Sequence, residues 1–474
     1  MPLTKLQFRP GVNQEITSYS NEGGWRDCDK IRFRFGYPEK IGGWEKFSSS
    51  TYLGSARALH NWIALDGSNY LGIGTHLKYY IEEGGAFNDI TPLRSTTSAG
   101  DVTFSATNGS TTITVSDTGH GAVENDFVTF SGAASLGGNI TAAILNIEYQ
   151  VVSIVDANTY EVALSAPANS SDSGNGGSST VGTYQINVGL DTVVGGTGWG
   201  AGTWGRGGWG SAEPNGLTTT TEIRLWSHDN FGEDLLINAR DSNIFYWDRS
   251  NNLSTRAIEL STLSGTKRSV PTIAKQILVS DQDRHVIAFG CDGLNSSNTA
   301  AQGNGTQDPL LIRFSSQEDP IDWYPTATNT AGDIRLGAGS TFVQAVETKR
   351  EILVWTDTAL NSMRFIGPPF TFGLQQLASN ITIMGPNAAV ATEDVVFWMG
   401  IDNFYIYAGQ TQQLPCTVKD KVFLDLNVEE RNKVHVGANT EFSEVWWFYP
   451  SAISTEIDKY VIYNYLENIW YFGT

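Results

Sequence analysis

The most constraining feature of the chain is a repeated pair of apolar segments. Glu233-Asp234-Leu235-Leu236-Ile237-Asn238 leads, through Asp241-Ser242-Asn243, to Ile244-Phe245-Tyr246-Trp247. Glu393-Asp394-Val395-Val396-Phe397-Trp398 leads, through Ile401-Asp402-Asn403, to Phe404-Tyr405-Ile406-Tyr407, and the two stretches align without a gap. Looser copies run from Tyr70-Leu71-Gly72-Ile73 to Leu77-Lys78-Tyr79-Tyr80-Ile81, and from Val445-Trp446-Trp447-Phe448-Tyr449 to Tyr460-Val461-Ile462-Tyr463. Each unit reads as an apolar strand, a polar turn and an aromatic strand. A single hairpin cannot bury its apolar face. Repetition around a ring buries that face and hides the strand edges. The pattern predicts an all-β chain with a β-propeller-like main domain, of about six to eight blades at roughly 40–50 residues each. The alternative is a β-sandwich whose hairpins resemble one another by chance.

A composition break interrupts the repeats. From Ser95 to Gly205 there is no Lys or Arg, while nine carboxylates occur. Thr112–Val115, Phe127–Phe130 and Tyr160–Leu164 alternate as half-buried strands do, and the Ser/Gly-rich run 169–179 reads as a flexible connector. Residues 93–186 are therefore expected to form a small inserted β-domain, with 1–92 and 187–474 forming the main domain. Within the insert, 140–149 reads as a short helix with Ile140, Ile144 and Ile147 on one face. The last strand pattern, Ile469-Trp470-Tyr471-Phe472, either closes the ring against an N-terminal strand or precedes further chain.

Charge narrows the function. With 30 basic and 50 acidic side chains the net charge is −20, which argues against a protein that grips phosphates over most of its surface. The basic residues cluster at the start: residues 1–46 carry eight bases and six acids, leaving 22 against 44 beyond. There, Lys30, Arg32 and Arg34 are expected on one face of a strand, with Ile31, Phe33 and Phe35 on the other. A basic row over an aromatic face could bind nucleic acid. The overall acidity favours pairing with carboxylates, at a subunit interface or in tethering the N-terminal strand. Cys28, Cys291 and Cys416 are too few and too scattered for a disulfide framework or zinc site. No apolar stretch is long enough to cross a membrane as a helix, and no secretory signal is visible.

Chemical signatures are weak. The six histidines, 60, 76, 120, 228, 285 and 435, are scattered, without an HExxH or Ser/His/Asp pattern. Ser227-His228-Asp229-Asn230-Phe231-Gly232 has the wrong Asp-to-Gly spacing for the Asp-box turn of sialidase propellers. Carboxylates such as Asp319, Asp322 and Asp333 show no sign of the paired geometry a glycosidase requires. Neither catalysis nor a cofactor is expected. Trp199, Trp204 and Trp209, with Arg206, lie in a Gly-rich stretch whose period of five fits neither helix nor strand. It is a candidate channel or interface loop.

Several strings resemble a known family. "EGGWRDCDKIRFRFGYPEKIGGW" (22–44), "RFSSQEDPIDWYPTATNTAGDIRL" (313–336), "ALNSMRFIGPPFTFG" (359–373), "WMGIDNFYIYAGQTQQLPC" (398–416) and "EVWWFYPS" (444–451) are similar to the tail nozzle, tail hub or packaged-DNA stabilisation proteins of short-tailed bacteriophages. The likeness covers most of 1–90 and 215–474; the insert has none. It implies a non-enzymatic virion protein assembled in the host cytoplasm. Its partners would be itself in a ring, commonly six-fold, a tail adaptor above, tail fibres or tip components, and DNA passing without sequence-specific binding. The rival expectation is a carbohydrate-binding or glycan-cleaving propeller used in host attachment.

Overall fold

The computed structural model describes residues 8–193 and 223–474. Six four-stranded antiparallel sheets follow one another along the chain as the blades of a β-propeller. Blade 1 spans Ala56 to Asp89, blade 2 Trp226 to Glu259 and blade 3 Gln276 to Arg335; blade 4 spans Phe342 to Ser379, blade 5 Ala389 to Leu414 and blade 6 His435 to Gly473. The first strands of successive blades surround the axis. The sandwich alternative is excluded.

All four repeated hairpins are the second and third strands of their blades: in blades 1, 2, 5 and 6. Each blade is pressed between two neighbours, so its middle strands bury both faces and read as continuous apolar runs. Leu235–Ala239, Val286–Phe289 and Ile352–Thr356 are fully buried. Aromatic pairs join adjacent blades: Tyr79 and Trp226 between blades 1 and 2, Phe289 and Phe342 between 3 and 4, Trp355 and Trp398 between 4 and 5, Phe404 and Trp447 between 5 and 6. Such ring pairs contribute about 0.5–1.5 kcal/mol each beyond the area they bury.

The ring closes without a shared strand. Blade 6 consists wholly of C-terminal strands, with Ile469–Gly473 outermost. Among the described residues, no apolar cluster joins blade 6 to blade 1. An N-terminal strap crosses this seam instead. The N–H of Val12 donates to the Trp470 carbonyl at 2.8 Å and that of Gln14 to the Thr417 carbonyl at 2.8 Å. The strap then forms the hairpin Ile31–Arg34/Tyr37–Lys40. Further on, Ser48 Oγ donates to the Gly85 carbonyl of blade 1 at 2.6 Å. The N-terminal segment therefore lies over blade 6 rather than joining it as a strand.

Between blades 1 and 2, strands from Leu93 to Gln185 make one eight-stranded sheet. Strands that are not neighbours in it touch: Phe104 packs on Phe130, and the Tyr160 and Tyr184 hydroxyls are 2.8 Å apart. The sheet is thus curled around its own core. Its ends meet, since the N–H of Ile186 donates to the Pro92 carbonyl at 3.0 Å. Two expectations need correction here. Only Ala142–Leu145 is helical, because the strand Glu148–Asp156 begins just beyond it, and Ile147 is exposed. The Ser/Gly run is not simply a connector: Asp172–Asn175 pairs with Thr103–Ala106, and Gly176 and Gly177 turn the chain at φ values of 137° and 85°.

Candidate functional site: the axis, the seam and the N-terminal hairpin

The propeller axis is nearly filled. A cavity of about 190 Å³ is lined from all six blades, by Leu59, His228, Gln276, Gln344, Asn387 and His435 among others. Most of its polar groups clip one blade to the next. Gln276 Nε2 donates to the Ala345 carbonyl at 2.8 Å, and Gln344 Nε2 donates to the Ala389 carbonyl at 3.0 Å. Asp229 accepts from the Val279 N–H at 2.8 Å.

The segment Ser227–Phe231 is part of the innermost strand of blade 2, not a turn. Its His228 Nδ1 lies 2.8 Å from the Tyr79 hydroxyl, and His60 Nε2 lies 2.6 Å from Asn230 Oδ1. Burial, with His60 adding to it, holds His228 well below its ordinary value. Burial also lowers His435. Both are therefore neutral at pH 7, and His228 bridges blades 1 and 2 without burying a charge. No group of three or more His, Cys, Asp or Glu among the described residues is placed to hold a metal.

The seam is polar. The side chain of Arg57 in blade 1 is only 5% exposed and donates to both carboxylate oxygens of Glu456, at 2.9 and 2.8 Å, and also to Asp191. Lys433, with its side chain fully buried, reaches the same Glu456 at 2.8 Å and Glu430 at 3.3 Å. Burial alone would raise Glu456, but hydrogen bonds from Arg57 and Lys433 hold it below its ordinary value.

The three cations singled out at the N-terminus separate. Arg32 is buried: its Nη2 donates to Glu444 Oε2 at 3.2 Å, its Nε lies 3.1 Å from Oε1, and its guanidinium stacks 3.5 Å above the Phe442 ring. Trp446 Nε1, at 2.8 Å, and the Tyr471 hydroxyl also donate to Glu444, completing the site. Arg34 is exposed and lies over Phe35 and Phe442. Lys30 has left the strand, with φ +56°, and its exposed ammonium lies 3.5 Å from Asp29. The expected single basic face does not form, because strand pairing begins only at Ile31. Phe35 is likewise absent from the apolar face; it sits at the hairpin tip, 79% exposed.

Glu444, Phe442, Arg57 and Glu456 were not found by sequence reasoning. The excess of acids beyond residue 46 was the available signal, but it names no partner. Trp199, Trp204, Arg206 and Trp209 lie outside the described residues.

No protein-family model matches the chain, and no curated protein matches it. Among solved structures it is similar to the AfRom2 CNH domain, at 12% identity and a TM-score of 0.31, over 52% of this chain and 68% of that one. It is similar to the phage phi92 endosialidase at 11% identity and a TM-score of 0.21, over 88% of this chain and 56% of that one. A third is PorZ of Porphyromonas gingivalis, at 12% identity and a TM-score of 0.29, over 84% and 61%. The chain spans less than two thirds of the last two proteins. Likenesses this weak carry no functional argument, and the six-bladed assignment rests on the sheet topology.

Proposed function

We propose that this protein is a non-enzymatic structural subunit of a short phage tail, assembling as a six-fold ring that retains and then conducts the genome. The observation that carries the reading is the set of strings resembling the tail nozzle family. They fall on the N-terminal hairpin and on blades 3 to 6, the parts that build and close the propeller. The plugged axis constrains how such a ring works. Its two adjoining cavities, of about 190 and 230 Å³, are small spaces between side chains that clip one blade to the next, so a duplex cannot pass along it. The conduit lies between subunits.

Six copies at −20 each carry a formal charge of about −120, and a lumen of that sign repels phosphates. Contact is unfavourable within a Debye length of about 8–10 Å. A basic wall would instead release counterions and hold the duplex. A gel-shift titration of the assembled protein with short duplexes tests this mechanism. Binding no tighter than about millimolar at ~150 mM salt is expected. Micromolar, steeply salt-dependent binding would overturn the passive conduit in favour of a DNA clamp. Glycan binding or cleavage by the same preparation would favour the host-attachment reading.

A further inference from the structure

The N-terminal hairpin presents its aromatic tip in an unusual way. Its two-residue loop is Phe35-Gly36, with φ values of 51° and 81°. Such a loop requires positive φ at both positions, which favours Asn or Gly at the first; a bulky aromatic there is strained. The strain is held from blade 6: the Glu467 carboxylate accepts from the N–H of Phe35 at 2.7 Å and of Gly36 at 3.3 Å. The result is a fixed aromatic standing in solvent, with Leu466, also 72% exposed, beside the clamp. The surface continues through Arg34 and Phe442 to Trp446, against which Trp44 packs edge-on while remaining 84% exposed. A groove of about 430 Å³ runs along it, lined by Trp44, Phe442 and Phe448. Rigid exposed aromatics with an adjacent Arg have the composition of an interface hot spot.

The inserted sheet offers a second exposed apolar stripe, bordered by acids. In the strand Glu148–Asp156 two irregularities leave Val152 and Val155 without ladder partners, and bulges of this kind re-aim side chains. Val152, Ile154 and Val155 are 43%, 38% and 58% exposed. Glu161, half-buried, lies next to this stripe, accepting from Ser153 Oγ at 2.9 Å, and exposed Asp156 ends it. The insert's one base, Arg94, donates to the His120 carbonyl at 2.9 Å, and no other Lys or Arg follows it before Arg206.

We infer that the Phe35/Arg34/Trp44 surface of one copy docks on the Val152/Val155/Glu161 surface of the next copy. Two different patches that complement one another make a head-to-tail contact, the type that closes a ring. Apolar residues meet at the centre, and the sign of the charge fixes the direction around the ring. The inference rests on the ring reading and adds its subunit interface.

Mass photometry across protein concentrations tests it on the full chain, using Arg34→Glu, Trp44→Ser and Glu161→Arg. All three substitutions are at exposed or half-exposed positions, and circular dichroism reports whether each variant folds. Each variant is expected to raise the concentration needed for assembly by about tenfold or more, and combining Arg34→Glu with Glu161→Arg is expected to restore most of it. Assembly of all folded variants at wild-type concentrations would overturn the interface while leaving the ring intact. Loss without rescue by the double swap would overturn the insert as the partner surface. Normal assembly of Arg34→Glu with loss of duplex binding would make the hairpin a nucleic-acid contact instead. A wild-type protein that stays monomeric at every concentration would overturn the ring reading itself.

Discussion

Replacing Arg32 with Ala separates a buried tether from a decorative basic row. Arg32 and Glu444 have side chains 8% and 0% exposed. Truncation leaves the Glu444 carboxylate with only Trp446 and Tyr471 as donors. Breaking a buried ion pair from one side costs about 3–5 kcal/mol, because the remaining charge stays desolvated. The stacking on Phe442 is lost with it.

The neighbouring cations set the scale. Arg34 lies 5.4 and 5.5 Å from its two rings and is exposed, so Arg34→Ala should cost below about 1 kcal/mol. Lys30 and Asp29 are an exposed pair, which contributes about 0–1 kcal/mol. Native-state hydrogen exchange on the amides of 31–40 and of Glu444–Tyr449 reads the opening of strap and blade together. The expected order is Arg32 far above Arg34 and Lys30, with little dependence on salt. Adding Glu444→Gln to Arg32→Ala should recover part of the loss, since the buried charge is gone while the amide oxygen can accept from Trp446 and the amide N–H can donate to the Tyr471 hydroxyl. A loss below about 1 kcal/mol for Arg32→Ala would refute the argument, because a pair so buried cannot be that weak when broken from one side.

Three further outcomes are expected. Burial, followed by repulsion from Asp281, pushes Glu347 up to about 8. A raised carboxylate pKa means stability is lost as pH rises from about 4.5 towards 8, so Glu347→Gln should stabilise the protein increasingly over that interval in urea titrations and make little difference below pH 5. Glu456, held below its ordinary value, acts in the opposite sense: the seam should be strongest above pH about 4.5 and loosen as pH falls through the folded pKa, with proteolysis at low pH cutting first near 41–57 or 450–458. Excising 93–186 and joining Pro92 to Asn187 through a short linker, beside the Pro92–Ile186 contact that already brings the two ends together, should leave the propeller folded by circular dichroism. Stability should fall, because buried Lys78 loses Glu148 and keeps Asp89, and Lys78→Met should recover part of it in the excised background.

What the sequence disclosed follows from where its residues are buried. The middle strands were legible because both their faces are covered, giving runs such as Val395–Met399. The innermost strands were not. Trp226–Phe231 reads Trp-Ser-His-Asp-Asn-Phe because its polar side chains are clips and axial bridges rather than core. The outermost strands, such as Gly332–Arg335, are too exposed and too short to stand out from loops. Of the candidate site, the N-terminal cluster of bases was visible, but not its division into a buried Arg32, a surface Arg34 and a Lys30 outside the strand. That division depends on a positive φ at Lys30 and on Glu444, some 400 residues away in the chain. Such long-range pairing leaves no local periodicity to read.

In the proposed ring the passage lies between subunits and not along the propeller axis. Averaged electron micrographs of the purified, assembled protein test it most directly. The prediction is a six-fold ring with an open centre, wide enough for a duplex, surrounded by six propellers whose own axes are filled. Isolated propellers, or an assembly with no central opening, would contradict it.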